Sequence, residues 1–517
     1  MNNIINSNTA SNKITKEGKL TIVYLLVLLF AFIPTYNHIF DSKIAFLGDN
    51  ANYYILGKAI ANGDGFINAQ NVTQTPANSY PPGYPAFIAT IITIANDSIV
   101  TIKYTNGLLY FASLIVLFFF FKAITDNIHF SFAILFAMLF HYYNLQYSTW
   151  MMSEIPFIFF SSLGLLALTK IDTQQAPWKS PWFALMLLST SFSYYIRSQG
   201  IALIGGIGLY YLIHRNWKYM FSYGIGFVSI ALPWFIRGLS FKGSPYTAAL
   251  KYKDYYDRSK GEMDGIGDWI DRIFSNIPRY IESEIPSAIF GTEPDYQNTS
   301  MTLGIIIIAL IIFGIIKTRK YQIAIAGYIL ATFAILVLWP SVWIGIRFMM
   351  PIVPLMIFLF FYGIFSLVIF ILEKIKFNTV KINQYLPYAF ILVALIYTPR
   401  LEELNKAANT PLNPIYRNYF AMAEWTKSNL GPNTNIICRK NMLFHLFSDH
   451  YAHRIINKHD HEAIFKAFKD GKYTHIVYYG SGLGQKYVLP LLQKYPERFK
   501  VINKTEKPEV YLMEIIQ

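Results

Sequence analysis

The sequence predicts an all-α polytopic membrane domain of about eleven transmembrane helices, followed by a small C-terminal α/β domain. Of the 517 residues, 54% are hydrophobic and only 14% are charged, whereas about a quarter of the residues in a soluble domain are charged. The mean hydropathy is +0.33. Because the charged residues are confined to short patches between long apolar runs, the composition excludes a soluble enzyme for the middle of the chain.

Each predicted transmembrane helix rests on an apolar run close to the roughly 17–20 residues that a membrane span requires. The first run lacks a small-residue cleavage site, which indicates a retained helix rather than a signal peptide. Two neighbouring runs are short, and merging them would reverse the orientation of every later helix; we keep them separate. The runs lie near 20–36, 103–121, 128–143, 153–169, 181–196, 198–213, 219–237, 301–316, 321–339, 347–372 and 385–398.

The distribution of Lys and Arg predicts the orientation of these helices, because cytoplasmic loops are enriched in both residues. With the N-terminus placed in the cytoplasm, every cytoplasmic connection contains Lys or Arg, whereas the short outer loops 141–152 and 340–346 contain neither. We therefore predict that the N-terminus is inside and the C-terminus outside. The same distribution accounts for the net charge of +14 without a nucleic-acid partner.

The domain organisation follows from this threading. Residues 1–19 form a cytoplasmic tail, residues 20–399 form the membrane domain, and 37–102 and 238–300 are its large external loops. Residues 400–517 have the composition of a soluble domain. Their pattern predicts helices at 415–429, 460–469 and 484–494 and strands near 435–439, 451–457, 475–479 and 510–515, which indicates an external α/β domain.

The first external loop contains three ordered elements. Asp49, in the sequence GDNANYY, follows the first predicted helix and is placed to act as a general base at the membrane surface. Residues 53–61 then predict an amphipathic helix along the interface, and the Pro-rich residues 80–85 predict a rigid, non-helical return to the membrane. An ordinary solvated loop with an Asp helix cap explains Asp49 alone, but not the three elements in order.

Glu154 follows Ser153 at the outer start of the fourth predicted helix. Acidic groups at the edge of a hydrophobic helix usually face a cavity or a partner. The alternative is a helix cap, in which Ser153 accepts from the backbone and Glu154 lies against the positive end of the helix. The two interpretations are compatible, and both stay open.

Three arginines, Arg197, Arg237 and Arg347, lie at the outer ends of predicted helices, where the charge distribution of membrane proteins disfavours them. A phosphate ligand explains such positions, because a guanidinium binds phosphate through two hydrogen bonds. The alternatives are contact with lipid headgroups and pairing with Glu154 or Asp49. We favour the phosphate for Arg347 and leave both interpretations open for the other two.

Cysteine and histidine give no metal site. The only cysteine, Cys438, excludes an intrachain disulfide and a Cys-based metal cluster. Five histidines of the tail match no familiar zinc spacing, so we predict no metal ligands. They are His445, His450, His453, His459 and His461.

Taken in order, these motifs resemble those of the C-type superfamily of integral membrane glycosyltransferases, which use polyprenyl-phosphate sugars. The likeness is to the branch that contains protein O-mannosyltransferases and the aminoarabinose transferase of lipid A. The ordered set, which spans residues 20 to about 400, is more specific than any one motif. Its members are Asp49 in GDNANYY, Pro81-Pro82-Gly83-Tyr84-Pro85, Ser153-Glu154, Arg197-Ser198-Gln199-Gly200, Pro233-Trp234-Phe235-Ile236-Arg237 with Gly243-Ser244-Pro245, and Arg347-Phe348 before Pro351 and Pro354.

The resemblance implies transfer of a sugar from a polyprenyl-phosphate donor to a hydroxyl of a glycan, lipid or protein acceptor, with inversion, on the extracytoplasmic face of the cell membrane. It implies that Asp49 is the base and that Glu154 assists; the family often has Asp-Glu where this chain has Asp49-Asn50. No cofactor is required, and a divalent metal remains an option. We assign the donor phosphate to Arg347, Arg197 and Arg237, and substrate contacts to Tyr53, Tyr54, Tyr80 and Tyr84.

Two other functions remain open at this point. A secondary transporter is also polytopic, but its ionisable residues are expected near the middle of the membrane rather than at outer helix ends. A non-catalytic protein of surface-polysaccharide assembly or flipping would also bind a lipid phosphate.

Overall fold

The computed structural model describes residues 2–241, 243, 245–255, 257, 260–480 and 482–516, so Ser244 of the motifs above lies outside the described residues. Helices dominate the described chain. They are α1 (Asn2–Ile39), α2 (Gly48–Ala61), α3 (Gly83–Ile94), α4 (Ile99–Thr125), α5 (Ile128–Leu139), α6 (Tyr142–Thr149), α7 (Glu154–Lys170), α8 (Pro181–Ile196), α9 (Gly200–Ile213), α10 (Trp217–Leu239), α11 (Pro245–Lys251), α12 (Ile266–Arg279), α13 (Ile285–Phe290), α14 (Met301–Lys317), α15 (Gln322–Leu338), α16 (Val353–Lys374), α17 (Val380–Tyr385), α18 (Ala394–Tyr397), α19 (Leu401–Asn409), α20 (Pro414–Asn429), α21 (Asn441–Ser448), α22 (His461–Asp470) and α23 (Leu489–Lys494).

Several of these helices are long and apolar enough to cross a membrane, but they do not establish the predicted count of eleven. Each predicted span overlaps helix in the structure, but the span at 128–143 is interrupted between α5 and α6, and α16 begins only at Val353, within the span at 347–372. Within the described residues, 6 helices are long and apolar enough to cross a membrane, or up to 7 if the bent pair α5 and α6 forms one span. Several others are short for a full crossing, since α7, α8 and α9 have 17, 16 and 14 residues. The count of eleven and the N-in/C-out orientation therefore stay predictions.

Small residues allow the helices of the membrane domain to pack closely. A Cβ atom added at Gly314 of α14 would lie 2.2 Å from the carbonyl oxygen of Leu359 in α16, and one at Gly363 would lie 2.0 Å from that of Leu310. The pair α9 and α15 meets in the same way at Gly206. Because α9 begins and α15 ends on the same side of this contact, the segments around Arg197 and Arg347 are brought together.

The first external loop is more helical than the sequence predicts. The amphipathic helix predicted at 53–61 begins earlier, at Gly48, and 9 of its 14 residues are buried, so it does not lie with one face free. The prediction of a non-helical return through residues 80–85 is wrong beyond Pro82, where α3 begins. Proline is compatible with the first turn of a helix, and Gly83 allows α3 to contact the backbone of Tyr195 in α8.

The C-terminal domain contains one five-stranded sheet in the order β2-β1-β3-β5-β4. Strands β1, β2 and β3 are parallel, and β5 is antiparallel to both β3 and β4. The four predicted strands and three predicted helices are confirmed; α21 and β4 were not predicted. The strands are β1 (Asn435–Cys438), β2 (Tyr451–Arg454), β3 (His475–Tyr478), β4 (Phe499–Lys504) and β5 (Tyr511–Ile515).

The C-terminal domain is docked onto the membrane domain through a shared core. One continuous hydrophobic cluster runs from the membrane helices to Tyr419, Phe444 and Leu512 of the tail, and a second, smaller cluster fills the other side of the sheet. Phe46, three residues before Asp49, stacks on Tyr416 with ring centroids 3.7 Å apart. The C-terminal domain is therefore packed against the loop that contains Asp49.

Candidate active site

Asp49 lies in the first turn of α2. Its Oδ1 atom accepts a hydrogen bond from the Tyr80 hydroxyl at 2.6 Å, and its Oδ2 atom accepts one from Arg347 Nη1 at 2.6 Å. The side chain is 32% exposed. Burial raises the pKa of Asp49, but the charge of Arg347 and the hydrogen bonds from Tyr80 and Arg347 outweigh this, so that its pKa lies below the usual value. Asp49 is therefore an ionised, oriented carboxylate at a cavity wall.

Glu154 is fully buried at the start of α7. Its Oε1 atom accepts hydrogen bonds from Arg197 Nη1 at 2.7 Å and from Arg347 Nε at 2.8 Å. The Ser153 side chain makes no capping hydrogen bond; it accepts from Arg197 instead, at 3.0 Å. The structure thus gives Glu154 cationic partners and does not use Ser153 as a side-chain cap.

Arg347 connects the two carboxylates. It lies in the short turn Ile346–Phe348 between α15 and α16, and the preceding Gly345 has a φ of 106°, which favours glycine. The backbone N–H of Gly345 donates to Glu284 Oε1 at 3.1 Å, and this buried carboxylate helps to fix the turn. Asp49, Glu154, Arg347 and Arg197 form a compact group whose charges balance.

The four predicted tyrosines divide into two pairs. Tyr53 and Tyr80 line the same cavity as Asp49, with ring centroids 4.7 Å apart. Tyr84 is buried behind Tyr53 and accepts from Asn106 Nδ2 at 3.0 Å, and Tyr54 donates to an oxygen of Asp97. Tyr54 and Tyr84 do not line the cavity. They pack behind the residues that do.

Arg237 lies apart from the other two predicted arginines. Near the end of α10, its Nη2 atom donates to the carbonyl oxygens of Ala77 at 2.8 Å and Phe66 at 3.4 Å. Its guanidinium also lies over the ring of Trp234, 5.1 Å from the centroid. The structure therefore places Arg237 against the first external loop, and its assignment to the donor phosphate stays a prediction.

The cavity beside Asp49 has a volume of about 540 Å³. Charged groups lie on one wall, and aromatic rings form much of the rest. Sequence reasoning identified Tyr53 and Tyr80, but not the other aromatic rings of the cavity or Arg454, which the C-terminal domain contributes. Two features of the sequence indicated part of the cavity lining: the motif around Arg197, and the loop 340–346, which contains no lysine. The lining residues are Asp49, Asn52, Tyr53, Ser79, Tyr80, Pro81, Ile196, Arg197, Ser198, Gln199, Tyr246, Tyr255, Trp339, Val342, Trp343, Ile344, Arg347, Phe348 and Arg454.

A second space, an apolar groove of about 310 Å³, is lined in part by residues next in sequence to those of the cavity. Pro81 lines the cavity and Pro82 lines the groove; likewise, Ile196 lines the cavity and Tyr195 lines the groove. Consecutive residues just before α3 and at the end of α8 therefore line the two spaces. The groove is lined by Pro82, Gly83, Ala86, Leu188, Ser191, Phe192, Tyr195 and Ile230.

Comparison with known proteins identifies the fold. No protein-family model and no curated protein matches the sequence. Among solved structures, ArnT from Cupriavidus metallidurans bound to undecaprenyl phosphate is similar at a TM-score of 0.56 and 10% identity, covering 96% of this chain and 98% of that chain. The Archaeoglobus fulgidus oligosaccharyltransferase tethered with an acceptor peptide is similar at 0.57 and 10%, covering 96% and 74%. The chain has the fold of the C-type membrane glycosyltransferases.

A third similar structure, the arabinofuranosyltransferase AftD from Mycobacteria, has a TM-score of 0.55 at 12% identity and covers 96% of this chain, but this chain spans only 40% of AftD. The predicted resemblance to the C-type superfamily is therefore confirmed for the fold. Like these integral membrane proteins, the chain has several helices apolar enough to cross a membrane.

The residues present do not fit a divalent metal as they are arranged. The same Archaeoglobus fulgidus oligosaccharyltransferase has also been solved in complex with Zn and sulfate. In the described part of this chain, no three His, Cys, Asp or Glu side chains converge, and this includes the tail histidines. Asp49 and Glu154 each accept from Arg347, which lies where a bridging cation would have to bind.

Proposed function

We propose that this protein transfers a sugar from a polyprenyl-phosphate donor to an acceptor hydroxyl on the extracytoplasmic face of the membrane. The observation that carries the proposal is the convergence of Asp49, Arg197 and Arg347 on one cavity that adjoins an apolar groove. The C-type fold supports it, because ArnT, with the same fold, was solved bound to undecaprenyl phosphate.

The donor fits the two adjacent spaces. Its apolar tail occupies the groove between α3, α8 and α10, where burial of isoprenoid surface is favourable. Arg197 follows the groove residue Tyr195 by two positions, so the phosphate at the end of the tail meets Arg197 and Arg347. Guanidinium groups bind phosphate in a bidentate manner.

The chemical step is a single displacement. The acceptor oxygen attacks the anomeric carbon, the bond from that carbon to the phosphate oxygen breaks, and polyprenyl phosphate leaves with the electron pair. The acceptor proton passes to Asp49. Negative charge grows on the departing phosphate, where Arg347 and Arg197 stabilise it most in the transition state. One displacement inverts the anomeric configuration.

Arg347 couples donor binding to the strength of the base. In the structure its guanidinium donates to Asp49 Oδ2 and lowers the carboxylate's pKa, which makes Asp49 a weak base. A donor phosphate competes with Asp49 for the same guanidinium. The pKa of Asp49 then rises, because burial remains while its principal cationic partner is shared. The base becomes stronger when the donor is in place.

The test is sugar transfer by the purified protein in detergent, with a panel of polyprenyl-phosphate sugars and with glycan, lipid and protein acceptor fractions. We expect release of free polyprenyl phosphate that depends on acceptor and is lost in Asp49→Asn. In vesicles, a transporter or flipping protein would move the intact donor across the bilayer without breaking its sugar–phosphate bond. The proposal would be contradicted if the protein moved donors across the bilayer but cleaved the sugar–phosphate bond of none of them.

A further inference from the structure

One cationic residue of the cavity comes from the external domain. Arg454 is the last residue of β2, is exposed, and lines the cavity with Asp49. It reaches the cavity from the soluble domain, whereas the apolar groove opens among membrane helices. A ligand that meets Arg454 therefore enters from the side opposite to a lipid tail.

Two further cations lie beside Arg454. Strands β1 and β2 are parallel, and Cys438 at the end of β1 is in register with Arg454, so Arg439 and Lys440 leave the same edge of the sheet. Lys440 Nζ lies over the ring of Phe46, 5.4 Å from its centroid. Phe46 precedes Asp49 by three residues, which places Lys440 at the same mouth of the cavity.

Lys440 lies within electrostatic range of both Arg439 and Arg454. Burial lowers the pKa of Lys440, the charges of Arg439 and Arg454 lower it further, and the charge of Asp49 opposes them. Among the described residues, no carboxylate lies within ion-pair distance of Lys440 or Arg454. Because like charges at close range repel, such an arrangement is stabilised by an anion.

The donor phosphate does not account for this cluster. Arg347 and Arg197 already line the cavity, and their charges are balanced by Asp49 and Glu154. Arg454 and Lys440 add positive charge on the soluble side, beyond what one donor phosphate on the membrane side requires. Three cations at one sheet edge match a phosphate dianion better than a carboxylate.

We propose that Arg439, Lys440 and Arg454 bind a phosphate group of the acceptor, so that the acceptor is a phosphorylated molecule and the external domain is its recognition element. The proposal rests on the proposed function, since it names the acceptor class of the same cavity. It gives the C-terminal domain a role in substrate choice. The C-terminal ends of strands β1 and β2 hold the phosphate, while a hydroxyl of the same molecule reaches Asp49.

The experiment uses the full-length protein saturated with undecaprenyl phosphate, so that the donor arginines are occupied. Glucose 6-phosphate and its uncharged match glucose are titrated, and binding is followed by tryptophan fluorescence, because Trp339 and Trp343 line the cavity. We expect tighter binding of glucose 6-phosphate than of glucose. Arg454→Gln and Lys440→Gln should each weaken it about tenfold, as expected for the loss of one charge-assisted hydrogen bond.

The matched control is Arg498→Gln, an exposed arginine that precedes β4 at the far edge of the sheet. It should bind glucose 6-phosphate as the unaltered protein does. Equal binding of glucose and glucose 6-phosphate, or an equal loss in Arg498→Gln, would overturn the proposal. A fall in undecaprenyl phosphate affinity in Arg454→Gln would assign Arg454 to the donor instead. Failure of the unaltered protein to bind undecaprenyl phosphate would contradict the proposed function itself.

Discussion

Asp49 and Arg347 are 298 positions apart in the chain, yet Asp49 Oδ2 and Arg347 Nη1 lie 2.6 Å from each other. Arg347 donates to Glu154 through Nε at the same time. One guanidinium thus holds a half-buried carboxylate and a fully buried one in fixed relation. This arrangement makes the properties of Asp49 depend on Arg347, and the following predictions separate the contributions of the two residues.

Asp49→Asn keeps the size of the side chain but removes the carboxylate that we propose as the base. General-base catalysis contributes about 10²- to 10⁴-fold to rate, so the initial rate of sugar transfer should fall by at least about 10²-fold. Asp64→Asn is the control, because Asp64 is exposed in a turn between Gly63 and Gly65, whose φ values are 86° and 83°. Near-normal transfer by Asp49→Asn would show that another group is the base.

Arg347→Gln should move the acid limb of the activity profile to higher pH. In the unaltered protein the charge of Arg347 helps to keep the pKa of Asp49 below its usual value, so this group stays ionised at lower pH than a free carboxyl before the donor binds. Without that charge, burial raises the pKa of Asp49 and the carboxylate protonates at a higher pH. The measurement is kcat/KM against pH, and an unmoved acid limb would contradict the coupling.

Glu154→Gln should destabilise the fold. Glu154 is fully buried and accepts from two guanidinium groups, and removing one partner of a buried ion pair costs about 3–5 kcal/mol because the remaining charges lose their compensation. Denaturation of the purified protein followed by tryptophan fluorescence measures the loss. Glu424→Gln, at an exposed position on α20, should change the free energy of unfolding by less than about 0.5 kcal/mol.

Ala86→Trp should fill part of the apolar groove. We expect weaker binding of long polyprenyl phosphates, with a smaller effect on a donor whose isoprenoid chain is too short to occupy the groove. Ala95→Trp, at an exposed position just after α3, is the control. Equal loss for long and short donors would mean that the groove does not hold the tail.

Arg237→Gln tests the remaining donor assignment. Its contacts with the carbonyl oxygens of Phe66 and Ala77 suggest a role in fixing the first external loop. We expect thermal stability to fall while donor affinity changes far less than in Arg347→Gln. A tenfold loss of donor affinity at unchanged stability would instead restore Arg237 to the phosphate site.

Apolar runs and strand patterns predicted most of the fold, because burial in a bilayer or a sheet leaves a periodic signal in the sequence. The start of α2 at Gly48 and the helix after Pro82 were harder to predict, since tertiary contacts with α8 and α21 stabilise them. In the site, Asp49, Glu154 and the arginines could be identified from the sequence, because charged side chains at the outer ends of apolar helices are energetically unfavourable without a partner. Their pairing depends on long-range packing, and Arg454 has no local signal at all.

The continuous core has a consequence for biogenesis. During synthesis from the N-terminus, Asp49 emerges long before Arg347, and the tail residues that share the core, such as Tyr419 and Leu512, emerge last. The membrane helices can insert earlier, but the C-terminal domain can pack against the loop that contains Asp49 only after the tail has been translated. An inserted but unfinished chain would therefore expose Asp49 without Arg454 and the rest of the C-terminal domain beside it.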